Sequence, residues 1–234
     1  MTVKRISGQP EKKKQKNKKN KDQSKAKGEK ENQIVIINNI QPPAAPEQEL
    51  RTISLYGDIS EQKGADIVAA LLYLENSSFV QLPADEEVEE DPLLVARSIA
   101  MVVSTHGGTA SDMFSILDVM DMIKNRTCDI ETIGIGKVMS AGVPILAAGT
   151  PGKRKVGRNC RIMLHNVMAS SGGTIFSMEN ELEEIKWVQE RYIETLASYT
   201  KLTPKKIKKL LKTQKDVYLS AEEAIKMGIA DEIV

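Results

Sequence analysis

Ser140 stands in Gly136-Lys-Val-Met-Ser-Ala-Gly-Val-Pro-Ile-Leu-Ala-Ala-Gly149, a single hydroxyl among small and apolar residues, directly after an apolar run. A serine hydroxyl is a poor nucleophile. Acyl transfer through it needs a base to take the proton, a group to orient that base, and donors for the developing oxyanion. The chain has two histidines, His106 and His165. His165 is the better base, because it sits at the end of an expected strand, Arg161-Ile-Met-Leu164, where side chains of α/β proteins reach the site crevice. His106 lies in a Gly-Gly turn whose backbone would itself have to approach a substrate. A helix expected right after Ser140 points unpaired N–H groups, including that of Ala141, at negative charge forming beside the serine. Gly107-Gly108 offers a second donor, since glycine lets backbone come close to a bound carbonyl. Pro144 falls in the first helical turn, where its missing N–H breaks no bond.

Each feature also has a plain structural reading. A serine at a strand-to-helix junction serves as a cap or packing residue, and a histidine at a strand end is satisfied by hydrogen bonding. Gly-Gly in such a turn occurs in many nucleotide-binding α/β proteins, yet neither phosphate-loop pattern is present. Cys128 and Cys160 show no metal spacing and no disulfide framework, so reduced cysteines, no metal and no cofactor are expected. Spacing alone does not bring Ser140, His165 and a carboxylate together.

The elements that must position these residues alternate. Thr52 to Tyr56 reads as a strand, and Ala65 to Leu74 repeats apolar residues at helical spacing. Ser98 to Val103 is an expected buried strand, followed after Gly107-Gly108 by a helix whose inward face is Met113, Leu117, Met120 and Ile123. Glu131 to Ile135 is the strand leading to Ser140. Beyond His165, Gly172-Gly173 turns into a long helix whose apolar seam, Met178, Leu182, Ile185, Tyr192, Leu196 and Tyr199, exceeds what one small domain needs to bury. Thr203-Pro204 starts another helix, Ser220-Ala-Glu-Glu223 is a capping box, Gly228 ends the last helix, and Ile229 to Val234 is a terminal apolar segment. This order argues α/β with a largely parallel sheet.

Composition sets the frame. Residues 1 to 32 hold twelve Lys/Arg against four Asp/Glu, while the rest of the chain holds 21 basic and 28 acidic residues, so the overall +1 hides a basic tail on an acidic body. The tail lacks apolar residues that would offset ordering entropy, and is expected to be a solvated, disordered extension. Contact with nucleic acid or another anionic partner is the alternative, and the absence of interleaved aromatics weakens it. Gln33 to Ile40 is a β-branched run, a short strand or a segment ordered only in an assembly, in an N-terminal stretch covering 33–50. The globular body is expected from Arg51 to Val234, with a charged, solvated insertion over about 76–92 containing Asp85-Glu-Glu-Val-Glu-Glu-Asp-Pro92. Neither a membrane-spanning apolar run nor a signal-peptide core is present, so a cytoplasmic protein without membrane contact is expected.

Together these residues resemble the proteolytic subunit of the Clp protease, the ClpP family (peptidase S14), from about Arg51 to Val234. Arg51-Thr-Ile-Ser-Leu-Tyr-Gly57 resembles that family's first strand and turn. Ser104-Thr-His-Gly-Gly108 is similar to its Asn-Ser-Pro-Gly-Gly turn, and Met139-Ser-Ala-Gly142 to its nucleophile region. Arg161-Ile-Met-Leu-His165 resembles Arg-Ile-Met-Ile-His, with the 25-residue interval from Ser140 to His165 kept. Lys215 to Ala224 resembles the family segment that carries the triad acid, which assigns that role to Asp216. No local feature of the chain singles out Asp216 otherwise. The resemblance implies Ser140 as nucleophile, His165 as general base, Asp216 as orienting acid, and the backbone N–H groups of Gly108 and Ala141 as the oxyanion hole.

It also implies a crotonase-like α/β fold with a protruding handle helix, here Met178 to Tyr199. The implied assembly is a homo-oligomer of stacked heptameric rings around a chamber, fed with unfolded polypeptide by an AAA+ unfoldase that carries the ATP site. The chain departs from the family pattern at His106, where the family has proline, at Ala141 for methionine, and at Asn166 for glutamine. Two other classes compete: a non-catalytic ring subunit that regulates an active paralogue, and a crotonase-type acyl-CoA enzyme.

Overall fold

The computed structural model describes residues 50–81, 94–212 and 215–234. The basic tail, the Gln33–Ile40 run and the acidic stretch lie outside the described residues. Strand β1, Thr52–Tyr56, buries only Ile53 and Leu55, the alternation of a strand with one covered face. Helix α1, Glu61–Asn76, starts at Ser60, whose side chain accepts from the Lys63 N–H. Two three-residue strands, β2 (Phe79–Gln81) and β3 (Leu94–Ala96), then pair antiparallel as a separate hairpin. Residues 79–81 and 94–96 thus pair with each other, a pairing too short for periodicity to reveal.

Strand β4, Ile99–Thr105, buries every second residue: Ile99, Met101, Val103 and Thr105. Helix α2, Ala110–Arg126, turns Met113, Leu117, Met120 and Ile123 inward as expected. Strand β5 runs Ile130–Met139, longer than the expected Glu131–Ile135 and reaching Ser140 itself. An irregular register against β4 between Val103 and Thr105 absorbs the extra residues around Gly136, so a segment with a turn-like composition continues the strand. Helix α3, Gly142–Ala147, is entirely buried. Then follow β6 (Arg154–Val156), β7 (Arg161–Leu164), α4 (Ile175–Tyr199), α5 (Pro204–Leu211), β8 (Val217–Leu219), α6 (Ala221–Met227) and β9 (Glu232–Ile233). The capping box at Ser220 and the left-handed cap at Gly228 form as read.

The sheet runs β1-β4-β5-β6-β9, with these neighbours all parallel. Strand β5 divides its pairing. Its first half holds β6 through Thr132–Gly134, and its last three residues hold β7 in parallel. Strand β8 joins β7 antiparallel, the one reversal in this sheet among the described residues.

Two ion pairs tie the frame. Arg154 grips Asp231 through Nε and Nη2 (2.8 and 2.5 Å) while Nη1 donates to the carbonyls of Ala147 and Tyr199, joining the ends of α3 and α4 to the C-terminal segment. Hydrogen bonds from Arg154 hold the Asp231 carboxyl below its ordinary pKa against the opposing effect of burial. Glu75, buried at the end of α1, is held likewise by Arg126 (2.6 Å) and Thr127 (2.5 Å) at the end of α2.

Candidate active site

Ser140 is the one described non-glycine residue with positive φ, at +52°. Left-handed backbone costs a residue with a Cβ on the order of 1 kcal/mol or more, and it persists only where the surroundings impose it. Here they do. The Ser140 N–H donates to the Met163 carbonyl (2.8 Å), continuing the β5–β7 ladder, and its C=O accepts from Val143 N–H (3.0 Å) as α3 begins. The chain thus turns sharply from strand into helix with the serine side chain at the corner. The cap position of α3 is Ala141, and no side-chain cap bond forms there. Among the described residues, no hydrogen bond engages the Ser140 hydroxyl.

Strand pairing explains which residues share this corner. Met139 is level with Met163 in the parallel β5–β7 pair, so Ser140 is followed across the ladder by Leu164 and His165. Leu164 is level with Val217 in the antiparallel β7–β8 pair, so His165, the residue after β7, and Asp216, the residue before β8, follow at the same end of that pair. Adjacent strands lie about 4.8 Å apart. The three residues therefore occupy the ends of three neighbouring strands in the order Ser140, His165, Asp216. Among the described residues no hydrogen bond joins their side chains; such bonds in unliganded sites are often long and tighten when substrate binds.

The Gly107-Gly108 turn lies against the same corner. Gly107 has φ +103°, and a Cβ built there would come 2.5 Å from Ser140 Cβ and 2.9 Å from the Met139 carbonyl. Gly108 has φ +151°, and a Cβ there would collide with the Ile59 carbonyl at 2.1 Å. Only glycine fits either place. Thr105 shapes the turn by accepting the Gly107 N–H at 2.9 Å. Ile59 clips it from outside: its N–H donates to Gly107 C=O, and its C=O accepts Thr109 N–H. The Gly108 N–H between them, like that of Ala141, has no protein acceptor among the described residues. Gly142 has a different function, because a Cβ there would sit 2.4 Å from Thr105 Cγ2. Its smallness lets α3 pack on β4.

His106 is exposed in the turn. Burial pushes both thiols up, Cys160 to about 11, so neither is a thiolate near neutrality. Among the described residues no cluster of three His, Cys, Asp or Glu side chains has metal-binding placement, and no helix is long and apolar enough to cross a membrane. An open cavity of about 390 Å³ begins at Asn166, next to His165, and runs between α4 and α5 past Gln189, Ile193 and Leu211. Asn166 donates to the Leu211 carbonyl at 2.9 Å, and Gln189 accepts the Val167 N–H at 2.7 Å, fixing the chain as it leaves His165. Residue-by-residue reading missed Thr105 and Ile59. A threonine two positions before a glycine turn was the available signal for the first, and Ile59 acts through backbone alone.

The Clp protease family profile matches residues 89–234. The chain belongs to the Clp protease family. It is 32% identical over 187 residues to the ATP-dependent Clp protease proteolytic subunit 2 of Corynebacterium jeikeium (strain K411), covering 79% of each chain. It is also 32% identical over 184 residues to the proteolytic subunit 3 of Frankia casuarinae, covering 79% of this chain and 76% of that one. The α/β architecture and mainly parallel sheet agree with Clp protease membership, and the matched span contains the Gly107-Gly108 turn, the Ser140 corner, His165 and Asp216.

Proposed function

We propose that the chain is the proteolytic subunit of a Clp-type, ATP-dependent protease, a serine endopeptidase that cleaves unfolded polypeptides through an acyl-enzyme. The observation that carries this reading is the Ser140 corner: a strained serine one residue out of level with the histidine that follows the neighbouring strand, whose hydroxyl and two flanking backbone donors have no protein partner among the described residues. His165 takes the proton as Ser140 Oγ attacks the peptide carbonyl, and later gives it to the leaving amine. Asp216, across the β7–β8 ladder, orients the imidazole and stabilises its charged form. The N–H groups of Gly108 and Ala141 hold the oxyanion. Water then releases the acyl group by the same proton path in reverse.

Assembly belongs to the same proposal: stacked heptameric rings enclosing the sites, with an AAA+ unfoldase feeding chains inward, in the cytoplasm. Exposed Ile175, Phe176, Leu182 and Trp187 on the first half of α4 support a further protein surface there. Particle mass together with peptidase activity tests it, and a stable active monomer overturns the chamber.

Ser140→Ala abolishes labelling by a fluorophosphonate probe; labelling that persists in that variant overturns the assignment of the nucleophile. A second reading, a non-catalytic ring subunit, draws on the open hydrogen bonds between the three side chains. It predicts assembled rings that hydrolyse no peptide.

A further inference from the structure

Tyr192 lies in the buried half of α4, fifty-two residues from Ser140 in sequence, with a side chain 5% exposed. Its ring belongs to the core, which phenylalanine or leucine would fill equally well. A phenol placed there brings a donor that must find an acceptor. Among the described residues that acceptor is the Ser140 carbonyl, 3.4 Å away. Burial pushes the Tyr192 pKa up, so the hydroxyl keeps its proton.

The Ser140 carbonyl is one end of a planar peptide whose other end is the Ala141 N–H. In a trans peptide the two point in opposite directions. Whatever holds the oxygen therefore aims the hydrogen, and a hydrogen bond accepted by the oxygen also strengthens the N–H as a donor. Val143 N–H holds that oxygen from α3 at 3.0 Å, Tyr192 holds it from α4, and β7 fixes the preceding N–H. We propose that Tyr192 is a positioning residue for the oxyanion hole, its hydroxyl orienting the Ser140–Ala141 peptide so that the Ala141 N–H faces the tetrahedral intermediate. This rests on the protease reading above. It also makes α4 the mechanical link between the exposed apolar surface of that helix and the reacting atoms.

The test compares Tyr192→Phe with Tyr199→Phe, using a fluorogenic peptide and a fluorophosphonate on the full-length assembled protein. Tyr199 is the control because its hydroxyl, on the same helix, bonds Asp121 and not the corner. Tyr192→Phe should lower kcat and the labelling rate by about 3- to 10-fold, the range of one net hydrogen bond, with KM within about twofold of wild type. Tyr199→Phe should leave kcat within about twofold while lowering the thermal midpoint. Equal kinetic losses in both variants, or a Tyr192→Phe rate within twofold of wild type, would overturn the proposal. Should the wild-type chain hydrolyse no peptide and take no label, the protease reading itself falls and the inference with it. An active wild type beside an equally active Tyr192→Phe sinks the inference alone.

Discussion

Of the serines at strand-to-helix junctions, Ser140 between β5 and α3 and Ser220 between β8 and α6 are treated by the backbone in opposite ways. Ser220 has φ −77° and ψ 171°, ordinary extended geometry, and its hydroxyl accepts the Glu223 N–H while Glu223 reaches back to the Ser220 N–H. The N–H, carbonyl and hydroxyl of Ser220 all have partners inside the molecule. At Ser140 the backbone is left-handed, the hydroxyl is uncommitted, and the neighbouring N–H groups of Gly108 and Ala141 lack protein acceptors among the described residues. Residue type does not separate the two, and their positions differ by a single residue, Ser220 being the cap of α6 and Ser140 preceding the Ala141 cap of α3. Saturation does, because unpaired donors and strained backbone cost stability that a purely structural junction would avoid.

The largest expected contrast comes from removing the Ser140 side chain. Ser140→Gly should cut peptide hydrolysis by about 10⁴-fold or more, the scale of nucleophile loss in a Ser-His-Asp site. The same variant should unfold no more easily than wild type, and at a higher temperature if relief of the left-handed strain outweighs the added freedom of the unfolded chain. Peptidase rates and calorimetry on one preparation measure both. A marked loss of stability would mean that the serine is structural, as Ser220 is.

Gly107→Ala breaks the contrast from the other side, by keeping the serine and moving what presses on it. The new Cβ would meet Ser140 Cβ and the Met139 carbonyl, and the backbone atom cannot swing away as a flexible side chain would. Hydrolysis should fall by about 100-fold or more, since small misplacements at a reacting centre carry that cost. An active Gly107→Ala enzyme would show that the turn does not hold the corner.

The pH dependence of stability should follow the two ion pairs of the frame. Glu75 and Asp231 have folded-state pKa values below their ordinary 4.5 and 3.8. The unfolded chain therefore binds protons first as pH falls. The stabilisation from both pairs is complete well above pH 4.5 and is lost as pH drops through the folded values. Thermal midpoints between pH 7 and pH 3 should show this decline in wild type, and Glu75→Gln with Asp231→Asn should flatten it while lowering stability at pH 7. A decline unchanged in the double variant would place the responsible carboxylates elsewhere.

The two serines also mark how far sequence could be read. Ser220, with its acid three residues on, announces a cap through local chemistry, and the structure forms it. Ser140 and His165 were legible as candidates because each follows an apolar run that becomes a strand end. Asp216 carried no local signal and came from the family resemblance. It is exposed, and its position at the same end as His165 follows from the antiparallel β7–β8 pairing between residues some fifty positions apart. A reading that expected a mainly parallel sheet had no means to find that reversal. Tyr192 was legible only as a member of an apolar seam, since the direction of its hydroxyl is a tertiary fact.

The smallest effect tests the saturated junction alone. Ser220→Ala removes the acceptor for Glu223 N–H and leaves half of the capping box, which should cost about 1 kcal/mol and lower the midpoint by about 2–4 °C in a domain of this size. Helix α6 follows β8 directly, so a loosened cap is the variant most able to blur the line between frame and site. If the junctions are independent, kcat per folded molecule at 25 °C should stay within about twofold of wild type while the midpoint falls. A larger kinetic loss would mean that the start of α6 helps hold β8, and with it Asp216, against His165. The division between a saturated frame and an unsaturated site would then hold at Ser140 but not along the strand that follows Asp216.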